Sequence, residues 1–376
     1  MFLSITPLIR FFCFLILFSP PAGSSPVEHI REITLKNSNG QKAGLVKLHR
    51  IFDDVLSLAV MPDGQTVAVS SGDEVHLYDL KTNRVENNLR IGFKVTEIIP
   101  SVTGRYIGLT GAEQYGCFDL AERKMLFVKK CHGESIITIG FLSDDEFLCA
   151  GYRDETAAFP AKNGNYHKIS TYNLKTGKII SEPFCKVNGW FDDFGIKPSP
   201  DGKILQYISG GMLFESNLTT GKPAGESCII SRQASKCFYK KGKFFKNGVL
   251  GTFWDNSKAK KDYIYFLNLK TATLIKVFDK QMRFYSFRVS QKGNIMVVTA
   301  KRMESGKPAK NMIKIISTDT WKELIPPIPV KSVMESNLKY DVANDGSFVV
   351  FSEQKNGVVY LLRLNNPEKQ NARHLP

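Results

Sequence analysis

The chain has 376 residues, 43% of them hydrophobic, with 51 Lys and Arg against 36 Asp and Glu, a formal charge of +15. That apolar share excludes a wholly disordered chain and is enough for a sizeable core. The positive excess favours anionic partners and surfaces and says nothing about fold.

In chain order, residues 1–24 read as an export signal. Arg10 supplies a short basic start, and Phe11-Phe12-Cys13-Phe14-Leu15-Ile16-Leu17-Phe18 is the apolar stretch. Pro20-Pro21 breaks it, and Ala22-Gly23-Ser24 offers small residues for cleavage after Ser24. The alternative is an uncleaved anchor, but the apolar run is far shorter than the roughly 20 residues a membrane-spanning helix needs. Cys13 lacks small residues before it, which speaks against a lipid anchor there. The expectation is a secreted or periplasmic protein with no stable membrane span after cleavage. Residues 25–376 then form a single domain with a short polar tail from Asn365 to Pro376.

Next come two strand candidates, Ile33-Thr34-Leu35 and Gly44-Leu45-Val46-Lys47-Leu48. Beyond them a turn signal returns: Pro62-Asp63-Gly64, Val102-Thr103-Gly104, Ser143-Asp144-Asp145, Pro200-Asp201-Gly202, Lys240-Lys241-Gly242, Gln291-Lys292-Gly293 and Asn344-Asp345-Gly346. Each copy sits between short alternating apolar runs; Pro presets the first corner, and Gly or Asp tolerates the left-handed one. Recurrence at this period marks a repeat architecture. In the first repeat Leu56–Val60, Thr66–Ser70, Val75–Leu80 and Val85–Leu89 read as four short strands in an antiparallel meander.

A second signal closes the third strand of the repeats. It reads Tyr78-Asp79-Leu80-Lys81-Thr82-Asn83, Phe118-Asp119-Leu120, Tyr172-Asn173-Leu174-Lys175-Thr176-Gly177, Ser216-Asn217-Leu218-Thr219-Thr220-Gly221 and Leu267-Asn268-Leu269-Lys270-Thr271. Weaker copies are Ser317-Thr318-Asp319-Thr320 and Arg363-Leu364-Asn365-Asn366. Asp or Asn there caps the turn with its own side chain. The last repeat stops after its third strand, Val358–Leu364, so the N-terminal strand is expected to supply the missing fourth, shutting a ring and covering its final edge.

These motifs resemble those of the WD40 and YVTN-type β-propellers over about residues 43–364. The resemblance implies an all-β, seven-bladed β-propeller of four-stranded antiparallel blades, with the ring closed by an N-terminal strand. His132-Gly133 lies where WD40 repeats place a structural Gly-His, and His49 lies slightly farther out. No repeat ends its third strand in Trp-Asp; Trp254-Asp255 falls at the end of a second strand. The hydrogen-bonded tetrad of strong WD40 repeats is therefore expected to be missing, and an exported YVTN-like propeller fits better than a cytosolic regulator.

From the first-turn Gly to the third-strand Asp or Asn, the first, second and fourth repeats span 15 residues. The third spans 28 from Asp145, the fifth 26, and the sixth 24 to Ser317. Insertions confined to one face of a repeat ring mark a binding face. The candidates there are Lys162, His167 and Lys168, then Lys258, Lys260 and Lys261, then Lys301, Arg302, Lys307 and Lys310. Blade-to-blade links add Lys94, Arg232, Arg283 and Lys331, with Trp190, Phe191, Phe284 and Tyr285. The surface they suggest is cationic and partly aromatic, suited to an acidic protein, a polyanionic glycan or anionic lipid heads. The plain alternative is that these lysines keep loops solvated.

Catalytic motifs are lacking. The six His show neither HxxxH nor HExxH spacing, and there is no GxSxG elbow or Walker loop. Asp192-Asp193 beside Trp190 and Phe191 is the best acidic cluster, and His76 reads as a packing residue. Asn217-Leu218-Thr219 matches a glycosylation acceptor but sits in a structural turn. Cys117, Cys131, Cys149, Cys185, Cys228 and Cys237 remain after the leader, without CxxC spacing and with their pairing open; Cys149 reads as a core thiol.

The expectation is a monomeric, non-catalytic binding scaffold with a protein partner, no cofactor, no metal and no nucleic acid. A propeller enzyme or enzyme subunit of lactonase-like or quinoprotein-amine-dehydrogenase-like type is the other reading. Fold alone licenses neither.

Overall fold

The computed structural model describes residues 33–36, 42–47, 54–130, 138–143, 146–153, 165–181, 184–187, 196–199, 203–209, 212–218, 220, 222–227, 237–245, 248–255, 262–268, 273–276, 282–290, 292, 294–302, 310–333, 338–353 and 358–364. Among them every regular element is a strand.

The chain opens with β1 (Ile33–Lys36) and β2 (Lys42–Lys47). Blade 1 holds β3 (Ser57–Val60), β4 (Thr66–Ser71), β5 (Glu74–Asp79) and β6 (Arg84–Arg90). Blade 2 holds β7 (Glu97–Pro100), β8 (Tyr106–Thr110), β9 (Gln114–Asp119) and β10 (Lys124–Lys130). Blade 3 holds β11 (Thr138–Phe141), β12 (Glu146–Arg153) and β13 (Asn165–Asn173), with β14 (Ile179–Ser181) and β15 (Phe184–Val187) both paired to β13. Blade 4 holds β16 (Ile196–Pro198), β17 (Ile204–Ser209), β18 (Met212–Asn217) and β19 (Pro223–Ser227). Blade 5 holds β20 (Cys237–Phe245), β21 (Gly248–Asp255), β22 (Asp262–Asn268) and β23 (Thr273–Lys276). Blade 6 holds β24 (Met282–Val289), β25 (Ile295–Arg302), β26 (Lys310–Ser317) and β27 (Ile328–Pro329). The last sheet holds β28 (Leu338–Val342), β29 (Phe348–Glu353) and β30 (Val358–Leu364).

That last sheet is completed from the other end of the chain. β2 pairs antiparallel with β30, Ala43 opposite Leu364 and Lys47 opposite Tyr360, and β1 adds a fifth strand outside it. The N-terminal strand thus takes the fourth place, as the repeat count requires, and Ile33–Leu35 is a strand.

The core lies between sheets, which explains the near-continuous apolar runs. Successive strand residues point to opposite faces, and here each face meets a neighbouring blade. On β4, Val67 and Val69 pack with Val350 and Val359 of the last sheet, while Ala68 packs with Ile107 and Leu109 of blade 2. On β25, Ile295 and Val297 meet Leu338 and Tyr340, while Met296 and Val298 meet Leu250 and Phe266 of blade 5. Tyr115 and Cys117 of blade 2 meet Ile139 and Tyr172 of blade 3. Fully burying one Val, Leu or Ile is worth about 1.5–3 kcal/mol, so these seams carry most of the stability.

Polar pins cross the seams. The Val60 amide donates to Asp341 Oδ2 at 2.8 Å, and the Ile98 amide donates to Ser57 Oγ at 3.1 Å. The Tyr115 and Tyr172 hydroxyls lie 2.6 Å apart. The outermost β6 exposes Arg84, Glu86, Asn88 and Arg90, which keeps a free strand edge from pairing with another chain.

One expected turn is a strand. Lys240-Lys241-Gly242 lies inside β20, with Lys241 opposite Thr252 and Gly242 opposite Gly251. The register slips between Tyr239 and Lys241, so the Lys pair marks a bulge. Phe244 and Phe245 extend the strand, and β21 starts at Gly248, leaving Lys246-Asn247 as the link. Asn-Gly is the stronger hairpin signal.

Candidate functional site

In an antiparallel meander the links between first and second strands share one rim with those between third and fourth; the remaining links share the other. The turn rim is regular. Between first and second strands lie residues 61–65, 101–105, 199–203, 290–294 and 343–347 in five of the sheets. The loop rim is not. Second and third strands are separated by residues 72–73, 111–113 and 210–211 in blades 1, 2 and 4, but by 154–164, 256–261 and 303–309 in blades 3, 5 and 6. The three insertions therefore fall on one rim, as their spacing indicates. The fifth is shorter than expected because its turn lies farther along the chain.

The site residues on this rim are partly strand. His167 and Lys168 belong to β13, opposite Arg153 and Tyr152 on one side and Cys185 and Phe184 on the other. In blade 6, Arg302 ends β25 directly opposite Lys310, and in the next row Arg283 stands opposite Lys301. Arg302 and Lys310 are exposed. Lys331 joins them through its backbone: its amide donates to Glu353 Oε1 at 2.7 Å, and its carbonyl accepts from Asn311 Nδ2 at 2.6 Å. Like charges directly opposite on a ladder repel, and this strand end gathers four cations in two rows.

Lys94 is exposed on the link from blade 1 to blade 2. Its carbonyl lies 2.7 Å from where a Cβ on Gly111 would stand, so only glycine lets the link lie against that hairpin. Phe284 and Tyr285 are not link residues. Both sit in β24; Phe284 is core, and Tyr285 is half-buried at a register slip. Lys162, Trp190, Phe191, Arg232, Lys258, Lys260, Lys261 and Lys307 lie outside the described residues, as do His49, His132-Gly133 and Asp192-Asp193.

The turn rim is held by one repeated device. Asp63 Oδ1 accepts the Gln65 and Thr66 amides at 2.8 and 2.9 Å, and Gly64 turns at φ 65°. At third-strand ends, Asp79 Oδ1 accepts the Lys81 and Thr82 amides, Asn173 Oδ1 the Thr176 amide, Asn217 Oδ1 the Thr220 amide, and Ser317 Oγ the Thr320 amide. The left-handed corner is Asn83, Arg123, Gly177 or Trp321. Arg123 and Trp321 carry no sequence cue for it; position in the repeat is the signal that finds them. Trp321 packs on Phe266 of blade 5 at 5.9 Å between ring centroids. Ser101, Ser199 and Ser290 are a further recurring feature, each Oγ accepting the amide five residues on.

Asp119 is buried, its side chain only 2% exposed. Burial pushes its carboxyl up, but Arg105 at 2.9 Å and the Glu122 and Ala121 amides outweigh that and hold it below the ordinary range. Asp79 is also lowered, first by the Thr82 amide. Tyr78 is pushed up to about 12 by burial and then by Asp79. Cys117 is a buried free thiol raised by burial and by Asp119, so the six cysteines do not all pair. Cys149 lies in β12, Cys185 in β15 and Cys237 in β20; Cys131 and Cys228 lie outside the described residues. His76 is a buried packing residue with Nδ1 2.7 Å from Asn88 Oδ1.

No family model matches the chain, and no curated protein matches it by sequence. Solved structures do. The β-propeller domain of Myceliophteria thermophila Cps50 (Swd1) aligns with a TM-score of 0.59 at 11% identity, over 85% of this chain and all of that one. Kuenenia stuttgartiensis hydrazine synthase aligns at 0.57 and 12% identity, over 83% and 96%. A chain of a mitotic checkpoint complex aligns at 0.55 and 14% identity, over 95% and 99%. The fold is that of a β-propeller.

Proposed function

We propose that this chain is an exported, monomeric propeller that acts as a binding scaffold rather than a catalyst. Residues 1–24 direct it to a secreted or periplasmic location and are removed. Its loop rim presents cations to an acidic protein or another anionic partner; export sets nucleic acid aside. The supporting observation is the blade 6 strand end, where Arg302 opposes Lys310 and Arg283 opposes Lys301. Cations gathered at one strand end complement an anionic partner. Lys162, Lys258, Lys260 and Lys261 fall in the segments between second and third strands of blades 3 and 5 in chain order.

Heparin chromatography tests this reading. Replacing Lys258, Lys260, Lys261, Arg302 and Lys310 with Glu should move elution to markedly lower salt while leaving thermal unfolding in place. Elution at unchanged salt would mean that the lysines serve only to solvate the loops.

A further inference from the structure

The opposite rim carries its own charge pattern, and the repeat places it. The residue that follows the left-handed corner is Arg84 in blade 1, Lys178 in blade 3 and Lys322 in blade 6, and Lys222 directly precedes the fourth strand of blade 4 as Lys178 does that of blade 3. All four are exposed, and among the described residues none holds an ion pair. Blade 2 has Lys124 at the same place, 2.5 Å from Glu122. Lys292, in the first turn of blade 6, is exposed on the same rim.

Several acids of this rim are taken up by the turns. Asp79 and Asp63 cap backbone amides, Asp119 is buried on Arg105, and Asp345 Oδ1 accepts the Ser347 amide at 2.9 Å. Glu122, Asp319 and Glu323 are exposed there, Glu122 paired with Lys124 and Glu323 with Lys314, and among the described residues the exposed cations of the rim outnumber its exposed acids.

Turns of adjoining blades touch side by side on this rim: the Lys292 amide donates to the Asn344 carbonyl at 3.1 Å, and a Cβ on Gly104 would stand 3.2 Å from Pro62 Cδ. Val102, at the tip of a blade 2 turn, is 68% exposed, an apolar side chain with nothing over it. Exposed cations repeated from blade to blade along one rim, with an apolar tip among them, complement an extended anionic surface.

We propose that the turn rim docks on an anionic lipid surface, leaving the loop rim pointing away from the bilayer toward soluble partners. Basic side chains near such a surface each contribute about a fivefold gain in partitioning, and the gain fades as salt shortens the screening length.

The test is co-sedimentation with phosphatidylcholine vesicles, with and without phosphatidylglycerol, using the chain as recovered from cells. Expected is salt-sensitive binding to the phosphatidylglycerol vesicles alone. Each of Arg84→Gln, Lys178→Gln, Lys222→Gln and Lys322→Gln should weaken it about fivefold, and the four together should abolish it. Lys130→Gln, at an exposed lysine on the far end of β10, should bind as the parent does. Circular dichroism melts check that the fourfold variant is folded; if it is not, the single variants decide. Equal binding to neutral vesicles, full binding by the fourfold variant, or capture of soluble heparin without any vesicle binding would each overturn the proposal.

Discussion

The two rims of the disc follow different rules. On the turn rim nearly every blade repeats the same link, with an Asp, Asn or Ser side chain accepting amides and a residue in the left-handed corner. On the loop rim the links range from residues 72–73 to residues 154–164, and blade 6 ends in opposed cations. One rim is constrained by the geometry of turning the chain; the other is free to vary and so to specialise. Constraint concentrates stability, and freedom concentrates recognition.

Both rims depend on the β2–β30 latch, so breaking it should erase the contrast altogether. Val46 faces Leu361 in a strand flanked on both sides. Val46→Pro removes ladder hydrogen bonding there and should cost at least about 3 kcal/mol, seen as the largest fall in melting temperature by calorimetry. A melting temperature within a degree or so of the parent would show that the ring does not need its latch.

The contrast sharpens at Asp119. Asp119→Ala takes away the Arg105 pair and two capped amides together, at a cost of about 2–3 kcal/mol. Its carboxyl titrates below the ordinary value of about 3.9 when folded. Its stabilisation is therefore complete above that value and is lost as pH falls through the lower folded one. Denaturant titrations across acid pH should show the parent losing stability in that window, with a flatter profile for the variant.

The smallest effect separates two glycines of like backbone. Gly64 at φ 65° has nothing within 4 Å of a prospective Cβ, whereas at Gly346, φ 73°, that atom would lie 2.6 Å from Asn294 Oδ1 and Ile295 Cγ1. Gly64→Ala should cost about 1 kcal/mol from the backbone alone, and Gly346→Ala about 2 kcal/mol or more. Equal losses in urea denaturation would mean that adjoining blades give way freely at the turn rim.

How much of this was legible follows the same divide. The turn rim could be read because its chemistry is local: Pro62-Asp63-Gly64 and Asn173 to Gly177 encode their own bends. The missing fourth strand could be read because Val358–Leu364 ends a repeat short. Lys240-Lys241-Gly242 misled because a bulge and a turn use the same residue types, and only the pairing of Phe245 with Gly248 decides between them. Arg283, Phe284 and Tyr285 read as link residues because strand length in blade 6 is set by packing against blade 5 and the last sheet, which local composition does not record. The pins from Asp341 to Val60 and from Ser57 to Ile98 join residues far apart in the chain and left no local trace.

The partner that β2 needs, β30, is made after every other strand of the ring. A polypeptide that stops before Val358 therefore leaves β2 without that partner and the flank of the preceding module bare. Truncation or clipping ahead of β30 would thereby leave an open, protease-sensitive fragment. Everything translated between β2 and β30 is checked by a single act of closure.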